Sequence, residues 1–159
     1  MFLKITRYVS LTLLVIWMGV IFTFSGQEAE KSSSVSRGVV VKVVEIVYPD
    51  YEKLAEQEKN EVIQSFTMPI RKLAHFSEFF ILGALALVFF ATFEHLHKNL
   101  LIVLPFFIGV LYAISDEIHQ VFVSGRACRF LDVLIDSSGV LLAVVIGFLI
   151  NHKIRGAKR

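Results

Sequence analysis

Residues 112–136 read YAISDEIHQVFVSGRACRFLDVLID, and this stretch decides how the rest of the chain is interpreted. It places four acidic residues, one histidine, one glutamine and two arginines between two strongly apolar segments. Ionisable groups near bilayer depth cost about 2.5–3.5 kcal/mol each on insertion scales, and they commonly mark functional sites. The stretch therefore predicts a polar site set into a membrane protein.

Composition also places the chain among membrane proteins, as a single domain over residues 1–159. Hydrophobic residues make up 55% of the chain, which includes 15 phenylalanines, and long apolar runs recur. The net charge of +2 is small and no basic stripe with interleaved aromatic residues is present, so no nucleic-acid partner is predicted. The single cysteine, Cys128, excludes an intramolecular disulfide and a cysteine-based metal cluster. The expected partner is the lipid bilayer of the cell membrane.

Four apolar segments predict an all-α fold, a four-helix transmembrane bundle. The helices are expected at about residues 6–24, 69–94, 100–120 and 132–150. The first resembles a signal peptide in its basic start, but the apolar run is long and no Ala-x-Ala-like cleavage site follows it, so it is predicted to stay uncleaved. Pro69 is expected in the first turn of the second helix.

The hydrophilic segment 33–67 is predicted to form one or two amphipathic helices on the outer surface of the membrane. Ser32 to Ser34 are suitable N-caps for a helix that begins near Val35 and that Pro49 ends. Asp50 is expected to cap a second helix. A solvated loop with nascent helix is the alternative for this segment.

The distribution of charge predicts the topology of this multi-pass protein. The N-terminus, the turn at residues 94–99 and the C-terminal tail are short and basic, so the positive-inside rule places both termini in the cytoplasm. Segments 25–70 and 115–131 then lie outside, although Arg126 and Arg129 in the outer turn oppose this orientation weakly. The polar start of the second helix, end of the third and start of the fourth are therefore expected to meet at one outer face.

Helical spacing predicts which polar side chains share a face. Arg71, His75 and Glu78 are three or four residues apart, which places them on one side of the second helix. Glu117 lies about 100° round the third helix from Asp116, so these two are not expected to point at one centre. The side chains expected to converge are Arg71, His75, Glu78, Asp116, Glu117, His119, Gln120, Arg126, Asp132 and Asp136. All of them except His119 and Asp136 are predicted to bind ligand.

Three interpretations of this set stay open. In the first, the arginines pair with the acidic groups and hold the helix ends together. In the second, the arginines grip a phosphate or carboxylate, while the acidic groups and Gln120 accept hydrogen bonds from sugar hydroxyls. In the third, His75, Glu78 and the pair of Asp116 and Glu117 hold a metal, and a spare carboxylate activates water. Because no HExxH, GxSxG or P-loop motif is present, neither a metal nor a cofactor is predicted.

Three segments, RKLAHFSEFFILG, YAISDEIHQVFVSGR and DVLIDSSG, resemble in this order the VanZ-like family of bacterial membrane proteins, with a match over residues 9–150. The family takes its name from a teicoplanin-resistance protein. Together with the predicted topology, the resemblance leads to the hypothesis of an envelope protein that binds a lipid-linked or peptidoglycan-type polar ligand outside the cytoplasmic membrane, where glycopeptides act, or that modifies the surface so that a lipoglycopeptide engages it poorly. The motif residues carried over by position are Arg71, His75, Glu78, Asp116, Glu117, Gln120, Gly125, Arg126, Asp132 and Gly139. Ser124 and Asp136 depart from the Pro and Asn that are common in the family.

Overall fold

Four apolar segments of the chain form helices that are long and apolar enough to cross a membrane. The structure is a computed structural model that describes residues 2–27 and 29–156, and the regular structure in these residues is helical. Its α-helices are α1 (Phe2–Ser25), α2 (Ala29–Val47), α3 (Glu56–Ala91), α4 (Leu100–Gln120) and α5 (Phe130–Gly156), with a short 3-10 helix at Tyr51–Lys53. The predicted all-α fold with four spanning helices is confirmed. Residues 157–159 of the basic tail lie outside the described residues.

The four spanning helices, α1, α3, α4 and α5, enclose one apolar core. The buried side chains of this core are Leu14, Ile21, Phe79, Leu82, Ala86, Ala113, Val140 and Val144. Many large apolar side chains on the outer faces of the same helices stay exposed. Such a surface suits lipid, because lipid tails are as apolar as leucine.

Glycines let α5 approach its neighbours closely. Gly139 lies against the backbone of α3 at Phe76, and Gly147 lies against a leucine of α3. On the other side of α5, a Cβ at Gly109 of α4 would lie 2.5 Å from Val140 Cγ1. Small residues at helix crossings allow the backbones to come together. Gly139 and Gly147 therefore lie where α5 comes close to α3.

The second spanning helix starts earlier than expected. α3 runs without a break for 36 residues, and Pro69 lies inside it rather than in its first turn. At 1.5 Å per residue the helix is about 54 Å long, whereas the hydrocarbon core of a bilayer is about 30 Å thick. Proline inside a helix costs about 3 kcal/mol. The predicted helix start at Pro69 was wrong, because the turns of α3 before Pro69 pack against α2. This packing outweighs the preference of proline for the first turn of a helix.

The overhanging part of α3 and α2 form a second apolar cluster. Val40 and Val44 of α2 are fully buried against Ile63 and against Tyr51 of the 3-10 helix. The segment predicted to hold two amphipathic helices is thus a pair of helices whose apolar faces cover each other. This pair lies beside the end of the bundle where α4 ends and α5 begins.

Local boundaries in this segment differ from those expected. α2 begins at Ala29, ahead of the predicted capping serines, and ends at Val47, before Pro49 as expected. Asp50 does not cap an α-helix, because it precedes the 3-10 helix and its Oδ1 pairs with Lys53 Nζ at 2.8 Å. At the ends of the chain, α1 and α5 each extend a few residues beyond the predicted limits.

Candidate functional site

Polar side chains from α3, α4 and α5 meet at one end of the bundle, which we call the polar end. It lies where α4 ends, where α5 begins and where α3 passes with its Arg71 to Glu78 segment. The turn at residues 121–129 joins α4 to α5 there. Gly125 in this turn has a φ of 74°, in the left-handed region that favours glycine.

Two adjoining cavities occupy the polar end. The inner cavity, of about 50 Å³, is lined by Met68, Arg71, Lys72, His75, Glu117, Gln120, Arg126, Asp132, Ile135 and Asp136. The outer cavity, of about 220 Å³, is lined by Phe24, Gln27, Ser36, Val39, Ile70, Arg71, Ala74, His75, Glu78 and Arg126. Arg71, His75 and Arg126 line both cavities and form their common wall. Residues from all five α-helices and from the turns after α1 and α4 thus line these two cavities.

Arg126 is held at this wall from two directions. Its Nε donates to the backbone carbonyl of Gln27 at 2.9 Å, and its Nη1 donates to Gln120 Oε1 at 3.3 Å. Burial lowers the pKa of the Arg126 guanidinium, and the positive charge of Arg71 acts in the same direction. An arginine remains charged in proteins, so the two like charges on this wall favour a bound anion.

A chain of hydrogen bonds runs from the turn into the bundle. Gln120, which accepts from Arg126, donates through Nε2 to Asp116 Oδ2 at 3.0 Å. Both Asp116 and Gln120 are buried. The position of the arginine is thereby connected to that of a carboxylate deep in the bundle.

Glu117 points away from this chain. Its Oε2 accepts a hydrogen bond from the backbone N–H of Arg129 at 2.9 Å, and the side chain is buried. Asp116 and Glu117 thus serve different partners, as their separation round the helix predicted. Glu117 ties the turn to α4 and also lines the inner cavity.

One side chain from each of α3, α4 and α5 converges beside the inner cavity. Potential ligand atoms of His75, Asp116 and Asp136 all lie within 4.8 Å of one another. Within the described part of the chain, His75 Nδ1 and the Oδ1 atoms of both aspartates have no hydrogen-bond partner. Glu78 Oε2 is 3.8 Å from His75 Nδ1, which is beyond hydrogen-bonding distance.

The structure brings together the eight residues that the sequence predicts for the ligand site. Seven of them line at least one of the two cavities. Asp116 lines neither cavity, but it is hydrogen-bonded to Gln120 and lies beside His75. The expected convergence was wrong for His119, whose ring stacks on Phe22 of α1 with 4.1 Å between ring centroids. His119 lies about 100° round α4 from its neighbour Gln120, so its ring faces α1 while Gln120 faces the inner cavity.

Some members of the site were not predicted. Lys72 lines the inner cavity, and its Nζ lies 2.9 Å from Asp132 Oδ1. Met68 and Ile135 supply apolar lining. A sequence signal for two of these existed, because Met68, Lys72 and His75 are spaced at i, i+4 and i+7 and so share one face of α3. Arg71 and Glu78 lie on the neighbouring face of α3.

The chain matches the model of the VanZ/LLP1 family over residues 10–151. This match confirms the resemblance predicted from the three motifs. No curated protein and no solved structure matches the chain.

Proposed function

The chain belongs to the VanZ/LLP1 family, and on that premise we propose that it is a multi-pass protein of the bacterial cell envelope whose polar end binds a lipid-linked or cell-wall-type polar ligand. In this proposal the polar end faces the outside of the cytoplasmic membrane and both termini lie in the cytoplasm. Glycopeptides such as teicoplanin act on the same outer side. The proposal therefore includes a role for the bound ligand in resistance to them.

The observation that carries the proposal is the mixed lining of the outer cavity. Arg71 and Arg126 supply positive charge, whereas Phe24, Val39 and Ile70 supply apolar surface. Two guanidinium groups suit a phosphate or carboxylate, because each can offer two parallel N–H donors. An anionic headgroup joined to an apolar chain has the same division into charged and apolar parts.

Two apolar side chains that line the outer cavity are also exposed on the surface of the protein. Phe24 and Val39 are 50% and 57% exposed. An apolar chain that extends from the cavity past these side chains would stay in contact with apolar surface and then enter the bilayer. The volume of about 220 Å³ accommodates a phosphate and a few attached atoms, so most of a larger lipid would lie outside the cavity.

The acidic groups and Gln120 supply the second part of recognition. Glu78 lines the outer cavity, and Gln120 and Asp132 line the inner one. Carboxylate and amide oxygens accept hydrogen bonds from sugar hydroxyls. A phosphate that carries a sugar, as in a lipid-linked cell-wall precursor, would thus find donors and acceptors on adjacent walls.

Replacement of Arg126 tests the proposal. Purified protein in nanodiscs of neutral lipid is titrated with a fluorescent polyprenyl phosphate and, separately, with a soluble muramyl peptide. Hydrogen bonds to charged groups contribute about 1.5–3 kcal/mol, so Arg126→Ala should weaken binding roughly tenfold to 100-fold. The two probes separate a lipid-linked ligand from a soluble cell-wall ligand. Teicoplanin susceptibility of cells that express each variant provides the second readout.

Arg129→Ala is the matched control. Arg129 lies in the same turn with the same charge, its side chain is exposed, and its contact with Glu117 uses the backbone N–H. It should bind both probes as the wild type does. Wild-type affinity in Arg126→Ala would contradict the proposal. If Arg126→Ala unfolds at a much lower temperature than the wild type, its loss of binding would follow from a structural role of the arginine instead.

A further inference from the structure

We propose that His75, Asp116 and Asp136 bind a divalent transition-metal ion, Zn²⁺ or Mn²⁺, beside the inner cavity. One potential ligand atom from each side chain lies within 4.8 Å of the others. Zinc–ligand distances of about 2.0–2.2 Å place tetrahedral ligand atoms about 3.5 Å apart. Small side-chain rotations are therefore enough to close the site, with no movement of α3, α4 or α5.

The burial of two carboxylates supports a bound cation. Asp116 and Asp136 are only 2% and 1% exposed. The Oδ1 atom of each has no hydrogen-bond partner among the residues that the structure describes. A buried polar group without a partner is costly, and a buried charge more so unless it is paired or coordinates a metal. Gln120 holds the other oxygen of Asp116, which leaves Oδ1 for a ligand.

Carboxylates outnumber cationic side chains around the two cavities and His75. Three cationic side chains, Arg71, Lys72 and Arg126, line the cavities. Five carboxyl groups line the cavities or lie beside His75: Glu78, Asp116, Glu117, Asp132 and Asp136. A divalent ion would stabilise the ionised form of the buried carboxylates and would leave the arginines available to an anionic ligand.

The donor set indicates the class of metal. Mg²⁺ and Ca²⁺ take oxygen ligands, whereas an imidazole together with carboxylates is typical of Zn²⁺ and related transition metals. Three protein ligands leave at least one coordination position for water or a bound ligand. With the imidazole Nε2 as the metal ligand, Glu78, whose Oε2 lies 3.8 Å from His75 Nδ1, would orient the imidazole after a small rotation, as carboxylates beside metal-bound histidines do.

Metal binding can be measured without any lipid ligand, so this inference does not rest on the function proposed above. Protein freed of metal by a chelator is titrated in detergent with Zn²⁺ by calorimetry and with Mn²⁺ by electron paramagnetic resonance. The wild type should bind one ion per chain. Asp136→Asn should weaken binding at least about 100-fold, and Glu78→Gln about tenfold to 100-fold. Asp50→Asn, an exposed carboxylate that lines neither cavity, is the matched control and should bind as the wild type does.

The temperature of unfolding with and without the ion gives a second measurement. Added metal should raise it in the wild type and in Asp50→Asn but not in Asp136→Asn. If Asp136→Asn does not fold, His75→Gln decides, because it removes a different ligand and keeps a neutral polar side chain. Absence of binding by the wild type overturns the inference, and so does binding of wild-type strength in Asp136→Asn or His75→Gln. Probe binding by chelator-treated protein then tests the proposed function separately.

Discussion

At the scale of single residues, Gln120 connects the turn at residues 121–129 to the interior of the bundle. Its amide oxygen accepts from Arg126 and its amide nitrogen donates to Asp116, so both ends of the amide have assigned roles. A glutamate at this position could accept from the arginine but could not donate to the aspartate. A glutamine therefore suits a place between a cation and a buried carboxylate.

Arg7 plays a comparable part at the opposite end of the bundle. Its Nε and Nη2 donate to Oγ1 and to the backbone carbonyl of Thr92, at 3.2 and 2.8 Å, and its guanidinium lies 4.0 Å from the ring centroid of Phe93. Arg7→Ala should lower the free energy of unfolding by about 1.5–3 kcal/mol, because hydrogen bonds from a charged group are lost. Unfolding in detergent with increasing denaturant measures the change.

Lys4→Ala is the control for this variant, since Lys4 is an exposed cation on the same helix. Neither variant should alter metal or probe binding, because both lie at the far end of α1 from the polar end. Equal stability of Arg7→Ala and Lys4→Ala would show that the Arg7 contacts do not stabilise the bundle.

At the scale of elements, α3 combines a spanning helix with an overhang that holds α2. Residues before Pro69 pack through Ile63 on Val40 and Val44, and residues after it carry Arg71 and His75 into the site. The overhang thereby holds α2 so that Ser36 and Val39 line the outer cavity together with Arg71. Packing on both sides of Pro69 thus keeps α3 as one continuous helix through the proline.

The packing of α5 on α3 leads to a prediction at the same scale. A Cβ at Gly139 would meet the backbone carbonyl of Phe76, which cannot rotate away as a side chain could. Gly139→Ala should therefore lower the free energy of unfolding by about 1–3 kcal/mol. It should also weaken metal binding, because α5 must shift and carries Asp136 with it. Denaturant unfolding and zinc calorimetry measure the two effects.

Gly19→Ala is the matched control, since no atom lies within 4 Å of a Cβ at Gly19. Alanine is favoured over glycine in helices by about 1 kcal/mol, so this variant should be as stable as the wild type or slightly more stable. If Gly139→Ala has the same free energy of unfolding as Gly19→Ala, α3 and α5 can move apart without loss of stability, which would contradict the prediction.

At the scale of the whole molecule, the orientation in the membrane determines which compartment the polar end faces. The proposal places it outside, because the short basic segments mark the cytoplasmic side. The polar end itself carries arginines in the turn after α4. The function proposed for the site requires the outside orientation.

Cys128 provides the test, because it is the single cysteine and it is exposed in that turn. A membrane-impermeant thiol reagent should label it on intact cells whose outer barrier is permeable to the reagent. Cys128→Ser should remove the label and so establishes its origin. Labelling that occurs only after lysis would place the turn and the polar end in the cytoplasm and would reverse the topology.

Much of this arrangement follows from local pattern. Long apolar runs determine the four spanning helices, and spacing along a helix determines that His75 shares a face with Arg71 and that Asp132 lies beside Asp136. Both properties depend on residues within a few turns of each other, so the sequence by itself predicts them. The convergence of three helix ends followed from the order of those helices and their alternating direction.

The tertiary structure alone decided which partners meet. The continuation of α3 through Pro69, the pairing of Lys72 with Asp132, the turn of His119 toward Phe22 and the grouping of His75 with Asp136 all depend on contacts between distant segments. These contacts are set by the rotation of each helix about its own axis. That rotation is determined by packing at glycines and core side chains of neighbouring helices, which no local pattern encodes.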